Sequence, residues 1–255
     1  MRRVAIVPIL TAILLFLPGC RSSNPPAPPA SPADPSTFEG LKPLPKGQPA
    51  EPTPDARPDL AADQRPRIVC FGDSLTAGYG TEAGQSYPDF LQIDLDQRGY
   101  PYRVVNAGIS GNTTKDGVER VDRIVAMKPS LVVVEFGGND GLRGLPIADT
   151  RANLDKIVAT LTASGTRVVL AGITLPPDYG PDYIQQFDQT YSLIAKKYRV
   201  PMLPFLLQGV FGTDGMMQGD RTHATAAGNK IVATNVLGLI QPLLRKQPVT
   251  STKNK

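Results

Sequence analysis

From residue 67 onward, short runs of β-branched and other apolar residues alternate with stretches whose apolar positions return every three or four residues. Five runs, at 67–71, 103–106, 131–136, 167–173 and 200–204, are mostly apolar without strict alternation, the pattern of strands covered on both faces. Between them the helical period takes over. Val118, Val121, Ile124 and Val125 share one face of a helix starting after Thr113 and Thr114; Leu154, Ile157, Val158 and Leu161 share one starting after Thr150 and stopping at Gly165. Ile184, Phe187, Tyr191 and Ile194 mark a third, and Thr225 caps a last helix carrying Ile231, Val232, Val236, Leu239 and Ile240. Strand and helix in alternation predict an α/β fold, a three-layer αβα sandwich around a mostly parallel five-stranded sheet.

The first 66 residues break this pattern. Residues 1–20 read as a signal peptide: Arg2 and Arg3 precede an uncharged, mostly apolar run at 4–17, and Leu17-Pro18-Gly19-Cys20 supplies a small-residue cleavage site. The run is too short for a membrane-spanning helix of about 20 residues. The placement of Cys20 resembles a bacterial lipoprotein lipobox, in which the cysteine becomes the lipidated first residue of the mature chain. Pro18 departs from that pattern, which usually has a small or β-branched residue there. The resemblance implies a protein of the bacterial cell envelope, anchored to a membrane through lipid on Cys20 and facing the periplasm or exterior, or secreted if Cys20 stays unmodified. Residues 21–66 hold 13 of the chain's 26 prolines. With so few aromatic and β-branched residues, burial there cannot offset the entropy of ordering, and the segment reads as a disordered tether in coil and polyproline II. One domain remains, 67–246, with a polar tail at 247–255.

The small counts exclude several classes. One histidine, two cysteines and no tryptophan leave no zinc finger or ribbon and no disulfide framework. With Cys20 lipidated, Cys70 has no partner in the chain, and its neighbours Val69 and Phe71 predict a buried thiol. The net charge of +4, two of it from Arg2 and Arg3, is too weak and dispersed for a nucleic-acid partner. Imidazole chemistry, if there is any, must use His223.

In an open parallel sheet, ligands sit beyond the C-terminal ends of the strands. Those ends carry Gly72-Asp73-Ser74-Leu75, then Asn106-Ala107-Gly108-Ile109-Ser110-Gly111-Asn112, then Gly137-Gly138-Asn139-Asp140. Asp220-Arg221-Thr222-His223 lies just before the last helix. A serine hydroxyl is a weak nucleophile until a base takes its proton, and the base works best when a carboxylate fixes its tautomer. Ser74, His223 and Asp220 can fill these roles, because a three-residue spacing can bring Asp220 to the ring nitrogen facing away from the serine. Ser74 N–H, Gly111 N–H and the Asn139 amide are the candidate oxyanion donors, with Asp73 as a brace for the loop. The chemistry calls for no metal and no cofactor.

The order G-D-S-L, S-G-N, G-G-N-D and D-x-x-H resembles the GDSL or SGNH hydrolase family, whose four blocks contribute Ser, Gly, Asn and His, over about residues 67–245. Residues 72–79 and 137–145, the latter G-G-N-D-G-L-R-G-L, are similar to the bacterial branch with thioesterase, arylesterase and lysophospholipase activities. The resemblance implies a flavodoxin-like sheet, an acyl-enzyme on Ser74, and a mobile loop at 140–145 on the acyl-chain side. Asp140, Gly141, Leu142 and Leu145, together with Leu175, are the substrate-binding candidates. The expected substrate is a small acyl ester or a lysophospholipid-like molecule, and the expected state a monomer. Ala224 replaces the proline that usually follows the family histidine, so Thr225, as a helix cap, is expected to fix part of the chain there. Two other functions remain open: a carbohydrate or peptidoglycan O-acetylesterase, which would prefer acetyl groups, and a non-catalytic envelope lipoprotein that uses the fold for binding.

Overall fold

The computed structural model describes residues 63–246. The signal peptide with Cys20, the tether up to residue 62 and the tail at 247–255 lie outside the described residues. The apolar runs become the parallel strands β1 (Arg67–Gly72), β2 (Arg103–Asn106), β3 (Leu131–Glu135), β4 (Arg167–Ala171) and β5 (Met202–Leu203), in the order β2-β1-β3-β4-β5. Ile68 to Phe71 on β1 and Leu131 to Val134 on β3 are fully buried, as continuous apolar runs in a doubly covered sheet require. Register pairs Ile68 with Leu131 and Gly72 with Glu135. Cys70 is a core residue, and burial pushes its thiol up to about 12, which removes it as a nucleophile.

The helices are α1 (Ser74–Ala77), α2 (Tyr87–Gln97), α3 (Thr114–Ala126), α4 (Gly138–Leu142), α5 (Ile147–Ala163), α6 (Pro181–Tyr198) and α7 (Ala226–Ile240). Helix α2 packs on α7, while α3 packs on α5 and α5 on α6, which gives the two outer layers. Thr113 starts α3 with a capping box closed by Asp116, and Thr225 starts α7 by accepting from Gly228 N–H at 3.2 Å.

Several boundaries differ from the sequence expectation, each for a local reason. Strand β5 keeps only two residues of the run at 200–204. Val200 N–H still closes the end of α6 on Ala195 O, and Pro201 and Pro204 have no N–H for a ladder. Helix α5 starts at Ile147, ahead of Thr150, because Thr150 N–H bonds back to Pro146 O. Helix α2 has no counterpart among the expected helices; Tyr87, Pro88, Leu91 and Leu95 form its buried face, and a Ser86–Asp89 capping box starts it. Residues 63–66, assigned to the tether, are bonded to the domain: Arg65 pairs with Asp96 at 3.0 Å, and Pro66 O accepts from Arg103 N–H.

The strand order positions the site. From β1 the chain crosses to β2 on one side, then returns past β1 to β3 on the other. At such a reversal the two outgoing loops diverge and leave a crevice over the strand ends. The loop leaving β1 begins Asp73-Ser74, and the one leaving β3 leads to Asn139.

Candidate active site

Ser74 opens the short helix α1, with Asp73 as its N-cap: Asp73 Oδ1 accepts from Leu75 N–H at 3.0 Å. The cap turns Ser74 upward at the end of β1, where it is 7% exposed. His223 comes from the irregular segment between β5 and α7, and its Nε2 lies 2.9 Å from Ser74 Oγ. Its Nδ1 lies 2.7 Å from Asp220 Oδ2. Both contacts are within the 2.6–3.2 Å or so that proton transfer needs. An ionised carboxylate only accepts, so Nδ1 carries the hydrogen and Nε2 is left to take the proton of Ser74.

Asp220 keeps its charge. Partial burial pushes its carboxyl up, but hydrogen bonds from the His223 ring and from the N–H groups of Thr222 and His223 outweigh burial and hold it below its ordinary value. Arg221 takes φ +57, so the turn between Asp220 and His223 passes through the left-handed region, which a non-glycine residue seldom enters.

The three expected oxyanion donors differ in their present partners. Among the described residues, Ser74 N–H and Gly111 N–H have no protein acceptor, and Gly111 is held at φ +82 in the loop after β2. Asn139 is buried on α4, and its Nδ2 donates to Asp73 Oδ2 at 3.2 Å and to Asn112 O at 3.0 Å. The Asn139 amide thus ties the serine loop to the Gly111 loop. An oxyanion would draw one of its two hydrogens from these partners.

Of the substrate-binding candidates, the structure brings Leu142 and Leu175 together and leaves three elsewhere. Leu142 and Leu175 line an open cleft that also includes Ser74 and His223, with Leu75, Ile173, Phe205, Leu207 and Phe211. Asp140 points away from it: its carboxylate accepts from Thr114 Oγ1, Thr114 N–H and Thr150 Oγ1, which anchors α4 to α3 and α5. Gly141 is buried where a Cβ would press on Leu175, and Leu145 lies outside the cleft. The segment expected as a loop at 140–145 therefore begins inside a buried helix.

A group that no motif indicated lies beneath the serine. Glu135, at the end of β3, is fully buried; Oε2 accepts from Thr76 Oγ1 at 2.8 Å and from Asp73 N–H at 3.3 Å, while Oε1 has no partner among the described residues. Its sequence signal was a lone charge ending an apolar strand. Burial first, and the Asp73 charge second, push its carboxyl well above the ordinary range, and burial also pushes Asp73 up, to about 6. Each carboxyl accepts two hydrogen bonds, but those of Asp73 are split between its two oxygens while both of Glu135's fall on Oε2 and leave Oε1 bare, so the geometry favours the proton on Glu135.

A raised acid contributes stability that is fully present below its unfolded pKa, about 4.3 for Glu, and lost as pH rises through the folded value. Glu135→Gln removes that loss. The melting temperature of the parent is therefore expected to fall relative to Glu135→Gln as pH rises from about 4.3. Parallel melting curves across pH would show that Glu135 does not hold the proton.

The sequence pattern of the GDSL-like lipase/acylhydrolase family matches residues 70–231. The chain is 43% identical to esterase TesA of Pseudomonas aeruginosa over 178 residues, covering 69% of this chain and 89% of the relative. It is 35% identical over 178 residues to thioesterase 1/protease 1/lysophospholipase L1 of Escherichia coli strain K12, covering 69% and 84%. The crystal structure of TesA superposes with a TM-score of 0.68 at 42% identity, over 70% of this chain and 99% of that one.

Proposed function

The chain belongs to the GDSL-like lipase/acylhydrolase family, and from that membership we propose that Ser74, His223 and Asp220 hydrolyse carboxylic esters or thioesters of extended acyl chains through an acyl-enzyme. As a member, the protein is a serine esterase or thioesterase. The observation that carries the residue assignment is the pair of hydrogen bonds linking Ser74 Oγ to His223 Nε2 and His223 Nδ1 to Asp220, at the floor of an apolar cleft.

Ser74 Oγ attacks the acyl carbonyl while Nε2 takes its proton, and the carbonyl electrons move onto oxygen, held by Ser74 N–H, Gly111 N–H and Asn139 Nδ2. Collapse of the tetrahedral intermediate breaks the bond to the leaving alcohol or thiol, which receives the proton from His223. Water repeats the sequence and frees the acid. Asp220 keeps the ring oriented and balances the imidazolium. Leu75, Leu142, Ile173, Leu175, Phe205 and Phe211 take the acyl chain, whose burial is favourable by roughly 0.8 kcal/mol per methylene.

Rates on acetyl, octanoyl and palmitoyl p-nitrophenyl esters, an acyl-CoA thioester and a lysophosphatidylcholine test this reading. Octanoyl or longer chains should be preferred; strong selection of acetyl would support the O-acetylesterase reading instead. A non-catalytic carrier would turn over none of them. The groups assigned roles all come from one chain, so the proposed site needs no residue of a second copy. We extend the proposal to location: lipid on Cys20 anchors the protein in the envelope, and residues 21–62 tether the domain. Cys20→Ser should then move the protein from the membrane to the soluble fraction with kcat/KM unchanged, and unaltered fractionation would remove the anchor.

A further inference from the structure

We propose that Gln218 is a positioning residue: it holds the backbone of the His223 segment against the serine side of the site and so sets the approach of Nε2 to Ser74 Oγ. The inference rests on the assignment of Ser74 and His223 above.

The base needs such a holder. His223 lies on a segment between β5 and α7 whose regular pairing is a single antiparallel bridge, Met217 to Ala224. Asp220 orients the ring, but it belongs to the same segment and its side chain is 40% exposed. Ala224 leaves the backbone after the histidine freer than a proline would.

Gln218 ties this segment down from both sides. Its backbone N–H donates to His223 O at 2.8 Å, and its backbone O accepts from Arg221 N–H at 3.0 Å. Its side-chain amide uses its two hydrogens on two different parts of the chain, Ala224 O at 2.9 Å and Tyr79 O at 2.7 Å. Tyr79 belongs to the serine side: its N–H bonds to Ser74 O at 3.1 Å, and its ring packs on the His223 ring with centroids 4.6 Å apart. One amide therefore bridges the turn behind the nucleophile and the residue after the base. Each such hydrogen bond adds little to global stability. Their effect on rate is larger, since a misplacement of about 1 Å in a catalytic group can cost about 10²-fold.

The experiment uses the full chain. Gln218→Glu keeps size and shape but turns the donor pair into an acceptor facing two carbonyls; Gln218→Met keeps reach without donors. Both are expected to lower kcat on a p-nitrophenyl ester about ten- to hundred-fold with KM within about twofold, the split of a lost transition-state alignment. The chain has one histidine, so the Nδ1–H proton resonance of the Asp220–His223 bond can be assigned to His223, and it should shift or broaden in both variants. A general loss of stability would lower the melting temperature without moving that signal in the folded protein.

Gly80→Ala reaches the same contact from the other side and serves if the Gln218 variants do not fold. A Cβ on Gly80 would collide with the Gln218 amide, and the position has φ +75. It should lower kcat similarly, and combined with Gln218→Met it should add little. Parental kcat in the Gln218 variants, an unmoved His223 resonance, or full additivity with Gly80→Ala would overturn the role of Gln218. If Ser74→Ala were instead as active as the parent, the underlying site assignment would be the one to fail.

Discussion

Ser74→Ala and His223→Ala are each expected to lower kcat on a p-nitrophenyl ester by about 10⁴–10⁶, with the double variant no slower than either single one. In the proposed mechanism the two act as one unit: without the base at 2.9 Å the hydroxyl stays protonated, and without the hydroxyl the base has no proton to move. The size of the His223 effect follows from composition as much as from geometry, because the chain has no second histidine to replace it. KM should change little, since the cleft walls that would hold the acyl chain remain. Steady-state rates and the release burst of p-nitrophenol measure both variants, and the burst should vanish in each. Effects that multiply in the double variant, or a single variant within about tenfold of the parent, would mean that the two side chains do not act together.

Much of this site could be read before any coordinates, because its parts sit where chemistry and topology agree. Ser74, Asn139 and the Gly111 loop follow strand ends that apolar runs reveal directly, and the three-residue spacing from Asp220 to His223 is close enough to imply contact. The cleft walls were legible only in part. Leu142 and Leu175 were anticipated, but Ile173, Phe205, Leu207 and Phe211 meet there through tertiary packing that no local pattern encodes. Asp140 was misplaced because a motif records that a residue recurs and not which way it points; here its carboxylate anchors α4 to α3 and α5. Glu135 and Gln218 were silent for different reasons. The first is one charge in an apolar strand, and the second is a glutamine whose partners are backbone carbonyls, one of them 139 positions away.

Asn139→Ala is expected to lower kcat by about 10²–10³, the usual cost of losing one oxyanion donor. Its amide has two tasks, and they can be separated. At rest it joins Asp73 to Asn112 O, which aligns the serine loop with the loop that presents Gly111. In the proposed mechanism one of the same hydrogens turns to the developing negative charge during acylation, while Ser74 N–H and Gly111 N–H, free of protein acceptors among the described residues, would need no such exchange. Because the oxyanion exists only along the reaction path, loss of the donor appears in kcat and leaves KM largely intact. Asn139→Asp should be slower still. It keeps the shape, removes both hydrogens and sets a second carboxyl against Asp73, already pushed up to about 6 by burial. If Asn139→Ala raised KM and spared kcat, the amide would be binding the ground-state ester, and stabilisation of the oxyanion would fall to the two backbone donors alone.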